Sequence, residues 1–193
     1  MLRLTTLTVL LALAVCTATA ETKVLQLSLT PDIALYDRDT VIEGLDLAIW
    51  GENEQRSLTL GFIHGSKNDS AGVSIGLVNY SDNYKGAQFG IYNTGNNFSG
   101  YSGAIVNIHR GNFTGWQNGA YNRVHGKMTG FQSAYVNVTK EMSGLQLGLV
   151  NYAEMMNSGL QIGLVNIIRN NSRYFRDLPG EVAPAMVFVN WKF

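Results

Sequence analysis

Three histidines, His64, His109 and His125, are the side chains best suited to acid–base or metal chemistry, and each falls at or just beyond the end of a short repeat. No two have the spacing of a metal-binding pair, and with Cys16 the only cysteine a zinc site would need distant partners. A hydrolase arrangement would set His109 or His125 beside Ser102 or Ser133, but the positions between repeats read as solvated turn histidines. Asp37-Arg38-Asp39 and Glu52-Asn53-Glu54 cluster oxygens without the loop length or glycine placement of a calcium hand, and read as charged loop tips. The many glycines are followed by no helix and no Lys-Ser/Thr, so they form no phosphate loop. The Asn-x-Ser/Thr triplets starting at Asn68, Asn79, Asn97, Asn112, Asn137 and Asn170 follow from turn composition rather than from a glycosylation code. The expectation is therefore no catalytic residue, no cofactor and no metal.

What would have to position any such group is a repeat that fills most of the chain. Gly72 to Asn79 (GVSIGLVN), Gly86 to Asn93 (GAQFGIYN), Gly144 to Asn151 (GLQLGLVN) and Gly159 to Asn166 (GLQIGLVN) are versions of one octapeptide. Weaker copies begin at Gly100, Gly115 and Gly130, and two degenerate ones, Gly44 to Gly51 and Ser57 to His64, precede them. The starts lie 13 to 15 residues apart, which is room for a strand and a turn. In the best copies positions two, four and six are apolar (Leu145, Leu147, Leu149; Leu160, Ile162, Leu164) and alternate with Gly, Gln and Gly, the period of a strand. Asp46 is the one charged residue in the nine copies, and the remaining charges gather between them.

Nearly charge-free strands separated by polar connections suit a bilayer-spanning meander. With a residue or two added at each end, each copy reaches about ten residues, the length that crosses an outer membrane at a tilt. At this period residues 21–193 hold about twelve strands, with ten the other even number that fits. The expected architecture is an all-β, antiparallel up-and-down transmembrane barrel forming a single domain over 21–193. Its Leu/Ile face would meet lipid, and Gln88, Gln117, Gln132, Gln146 and Gln161 would fill a narrow lumen. Tyr80, Tyr92, Phe98, Phe113, Tyr121 and Tyr152 would form interfacial girdles. Conduction through the lumen, or a barrel hydrolase, is a minor alternative.

Both termini suit that destination. Residues 1–20 carry Arg3, an apolar run from Leu7 to Val15, and Ala18-Thr19-Ala20, the order of a secretory signal peptide with cleavage after Ala20. Leu13-Ala14-Val15-Cys16 approximates a lipoprotein box, but the residue before the cysteine is the bulky Val15. At the other end Val187, Val189, Trp191 and Phe193 fall on one face at period two, ending on an aromatic. They read as the signal that the barrel-assembly machinery of a Gram-negative outer membrane recognises. Lys plus Arg and Asp plus Glu both number 14, so no basic surplus points to nucleic acid or acidic lipid. The segment Asn170 to Glu181 breaks the period and reads as a surface loop, with a partner-binding or plugging loop as the alternative.

Taken together, the leader, the Leu25 to Ala34 opening, the Ile49-Trp50-Gly51-Glu52-Asn53 segment, the GLQLGLVN and GLQIGLVN copies and the Phe188-Val189-Asn190-Trp191-Lys192-Phe193 ending resemble a family of small bacterial surface-repeat proteins of the Vibrio type. The resemblance implies an outer-membrane or surface location with outer-membrane lipid as a partner, and carries no catalytic residue across. Any small-molecule ligand is unspecified by it. Gly72, Asn79, Gly86, Asn93, Gly144, Asn151, Gly159 and Asn166 are its signature positions here.

Two features favour a β-solenoid instead, acting as a secreted or surface-attached binding module. Gly103, Asn118 and Ser133 interrupt the apolar position four, and the connections are uniformly short where barrels alternate short and long. Stacked coils would give inward apolar columns and a single ladder of the Asn residues from 79 to 166.

Overall fold

The computed structural model describes residues 21–193, so the leader and Cys16 lie outside the described residues. It has nine strands: β1 (Thr22–Thr30), β2 (Ile33–Ala34), β3 (Val41–Ile75), β4 (Val78–His109), β5 (Phe113–Asn118), β6 (Tyr121–Ser133), β7 (Val136–Leu147), β8 (Val150–Ile168) and β9 (Ala185–Lys192). They form one sheet in the order β2-β1-β3-β4-β5-β6-β7-β8-β9. Pairing is parallel from β1 to β3 and onward to β8, and antiparallel only for β1/β2 and β8/β9. An up-and-down barrel needs antiparallel neighbours and a first strand closed on the last. Here β1 and β9 lie toward opposite ends of the sheet, so the transmembrane barrel and its membrane-spanning strands are overturned. The fold is a parallel β-solenoid of about nine turns.

The repeat period explains the winding. Each coil returns the chain to the same lateral position, so Gly72 pairs with Gly86, Gly100 with Gly115, Gly115 with Gly130, Gly130 with Gly144 and Gly144 with Gly159. These position-one glycines have φ between +124° and +159°, a region closed to side chains. A Cβ on Gly144 would also overlap the carbonyl oxygen of Gly130, one coil below. Glycine is thus fixed at the corner by backbone conformation and by the close stacking of coils.

The segments between the copies were expected as polar connections, yet they supply the second wall of each coil. Tyr84, Phe98, Phe113, Met128, Met142 and Met156 point inward and form one buried cluster with Val124, Ala153 and Ile168. Phe98 and Phe113, expected in an interfacial girdle, stack inside at 5.1 Å between ring centroids. From the other wall come the position-three and position-eight residues of the copies, so this core is half hydrocarbon and half amide.

Both ends are closed. At the first coil, the Gln26 amide donates to the Tyr36 carbonyl and to Asn53 Oδ1, beneath the β1–β2 hairpin. At the last coil, residues 170–184 cross the open core, with Asn171 and Asn190 both donating to the Ala183 carbonyl and the Lys192 ammonium pairing with Glu181 at 2.8 Å. Neither end of the core is left open, and the flanking segments limit the free sheet edge.

Candidate functional site

The interior is built from amide ladders. Asn79 Nδ2 donates to Asn93 Oδ1, and the series resumes with Asn107 to Asn122, Asn122 to Asn137, Asn137 to Asn151 and Asn151 to Asn166, at 2.8 to 3.1 Å. The single gap is relayed by Ser102, which accepts from Asn93 and donates to Asn107 Oδ1. A second ladder runs Gln161 to Gln146 to Gln132 to Gln117, at 2.7 to 2.8 Å, and ends on His109 Nδ1. Most of these side chains satisfy one another, which is how fully buried amides are tolerated. Gln88 is the exception: Ser74 and Ser102 flank it in its column, and neither of its amide atoms has a partner.

With the amides inside, the apolar positions two, four and six must point outward. In a barrel that partition was expected of lipid and lumen; in the solenoid alternative the apolar columns were expected inward, and the structure reverses them. Position six sits where the coil bends, and it stacks: Leu77 N donates to the Phe62 carbonyl, Ile91 N to Leu77 and Leu149 N to Tyr135. The result is a convex ridge running through Leu29, Ile49, Phe62, Leu77, Ile91, Ile105, Tyr135, Leu149 and Leu164 to Val187, exposed from 46% at Leu77 to 66% at Tyr135. Ala120 is the one small member. Val189 pairs with Ile162 and Trp191 with Leu160, so three of the four C-terminal residues read as an assembly signal continue this face. Phe193 projects beyond it, exposed.

The opposite side is chemically different. Gln146 and Gln161 reach across the core to the Tyr152 and Ile167 carbonyls, so the second wall faces away from the ridge. Its outward residues include Asp82, Arg110, Arg123, His125, Lys140, Glu154 and Arg169, all exposed. The molecule is therefore amphipathic across its thickness.

Two of the three histidines are not solvated. His64 and His109 are fully buried, and loss of water pushes their pKa values down to about 4 and about 3, keeping both neutral. His125 is exposed. Ser102 Oγ is committed to Asn107 and His109 Nδ1 to Gln117, so the sequence-suggested His–Ser pair is not assembled. Asp46 is also buried, and desolvation raises its carboxyl to about 6 despite the Gln55 hydrogen bond at 2.8 Å. Among the described residues no group of three or more His, Cys, Asp or Glu is arranged to hold a metal ion. Glu52, rather than marking a calcium loop, accepts from the Tyr80 hydroxyl and lies 3.5 Å from the Lys67 ammonium.

No protein family, curated protein or solved structure matches the chain.

Proposed function

We propose that this chain is an exported, non-catalytic β-solenoid binding module that works through its apolar ridge and the sheet face beside it. One observation carries the reading. Across β1, nine coils and β9, positions two, four, six and seven contain no charged residue, while the opposite side is studded with charge. Soluble monomers seldom leave an apolar patch of more than a few hundred Å² uncovered, and larger ones mark contact surfaces. The stacking of coils makes the surface continuous and rigid, a scaffold for docking rather than a cleft for chemistry.

Supporting the non-catalytic reading, His109 terminates the buried Gln ladder, His64 is sealed from water, and no serine or threonine hydroxyl among the described residues is hydrogen-bonded to a histidine. The test is fractionation of the full-length chain in its own cells. The parent is expected with the particulate envelope material, and an Ile105→Asp/Leu164→Asp variant of equal thermal stability in the soluble fraction. A parent that is wholly soluble and indistinguishable from the variant would sink the reading.

A further inference from the structure

Resting on the binding-module reading, we infer that the occupant of the ridge is the acyl–headgroup boundary of a lipid layer, onto which the solenoid lies flat without crossing it. Three observations favour lipid over a second copy of the chain. The exposed ridge residues Leu77, Tyr135 and Leu149 stand on bends at position six, so the ridge is a corner of the coil and the surface is convex there. Two identical convex ridges meet along a line and leave voids on either side, whereas an isologous protein interface must be self-complementary. Fluid acyl chains conform to a ridge of any section.

Dimensions agree. Eleven strand segments at about 4.8 Å make a strip about 48 Å long, and positions two to six span about 13 Å, an area on the order of 600 Å². A standard protein interface takes about 800 Å² from each partner in a compact patch. A strip more than three times longer than wide falls short of that, yet a lipid surface covers all of it. The chemistry agrees as well, since an interfacial element needs an uncharged apolar side, a polar opposite side, and amphipathic rings at the boundary. Tyr92, Tyr121 and Tyr135 lie on or beside the ridge, and Trp116 and Trp191 belong to the same face, whereas Trp50 turns from position seven to donate to the Tyr80 hydroxyl beside Glu52.

The placement of Trp116 and Trp191 supplies the readout. Mature protein, residues 21–193, would be mixed with neutral phosphatidylcholine vesicles carrying brominated acyl chains. The expected result is co-sedimentation, blue-shifted fluorescence and quenching by bromine near the glycerol end of the chains, all persisting at ~0.5 M salt because no ridge residue is charged. Ile105→Asp/Leu164→Asp should lower the vesicle-bound fraction at least tenfold. Lys140→Glu, on the opposite side, should leave it unchanged and serves as the folded control. Should the double variant misfold, the parent's depth-dependent quenching still decides the matter.

Failure to bind neutral vesicles overturns the lipid assignment. If that failure comes with a concentration-dependent dimer abolished by Ile105→Asp/Leu164→Asp, the occupant is a second copy and the binding-module reading survives. Binding only to anionic vesicles, lost at ~0.5 M salt, assigns contact to the charged side and equally overturns the proposal.

Discussion

The ring of Tyr101 lies over Gly103, so closely that a Cβ on the glycine would come within 2.7 Å of it. The same exchange of size holds at Trp116 with Asn118 and at Phe131 with Ser133, where the aromatic stands at position two and the small residue at position four. The rings form a continuous series, Phe89 to Tyr101 at 5.2 Å, Tyr101 to Trp116 at 5.4 Å and Trp116 to Phe131 at 5.6 Å. The middle copies therefore keep an apolar surface by a different route. Gly103→Leu alone should displace the Tyr101 ring and destabilise by about 1 kcal/mol. Adding Tyr101→Val should recover most of that, a coupling measurable by a double-mutant cycle of urea unfolding. Strict additivity of the two substitutions would count against the exchange.

The interior amides should matter more than those outside. Asn137→Ala leaves the buried Asn151 Oδ1 without its donor, frees the Leu147 carbonyl from the Asn137 amide, and removes the bond accepted from Asn122, whose Nδ2 keeps the Gln117 and Ser133 carbonyls. With about 1–3 kcal/mol for each buried group left unpaired, a loss of about 3 kcal/mol is expected. Asn112 belongs to an exposed ladder in which Asn97 Oδ1 accepts from its backbone N–H. Asn112→Ala should remain within about 0.5 kcal/mol of the parent. Equal midpoints for the two variants in urea would show that the buried ladder contributes little.

Much of this was legible in the residues. The strand period, the octapeptide boundaries and the inward Gln and outward Leu of the copies all follow from alternation, which is blind to whether the next strand returns parallel or antiparallel. That ambiguity produced the barrel. The fixed Asn at position eight was the discriminating signal, because a ladder of identical amides requires every copy to point the same way, and it was outweighed by the terminal Phe193. The hydrocarbon half of the core was missed for a different reason. Tyr84, Phe98, Phe113, Met128 and Met142 each lie two residues before a repeat glycine, a column visible in the sequence once the copies are aligned. Lys85, Asp82 and their neighbours made those segments look like loops. Burial of His64 and His109 had no such signal beyond their own register in the coil.

Corner geometry gives a sharper test of the backbone. Gly144 has φ +135°, and any Cβ there meets the Gly130 carbonyl. Gly144→Ala should cost about 3 kcal/mol, from strain in a region reserved for glycine and from prying two coils apart. Ser143→Ala, one residue away and half-exposed, should change stability by less than about 0.5 kcal/mol. A Gly144→Ala protein with parental thermal stability would contradict the stacked arrangement at that corner.

The buried titratable groups make stability depend on pH in opposing senses. His64 and His109 have folded pKa values near 4 and 3, below the ordinary 6.5. Above pH 6.5 neither folded nor unfolded chain binds these protons, and stability is complete. As pH falls below 6.5 only the unfolded chain takes them up, so each histidine removes about 1.4 kcal/mol per pH unit until its folded pKa is reached. Asp46 acts the other way. Its folded pKa is near 6 against an ordinary 3.8, so the folded state holds a proton that the unfolded chain releases, and stability rises by about 1.4 kcal/mol per unit as pH falls from 6 to 4. Two histidines against one aspartate leave a net loss of about 1.4 kcal/mol per unit in that window. Asp46→Asn, which can still accept from Gln55, should stabilise by about 3 kcal/mol at pH 8 and by almost nothing at pH 4, so its acid loss is steeper than the parent's. His109→Gln should bring the slope between pH 6 and 4 close to zero, because glutamine can meet Gln117 without taking up a proton. Urea midpoints at unit pH intervals would measure all three slopes, and a His109→Gln protein as acid-sensitive as the parent would refute the assignment of that loss to the buried imidazole.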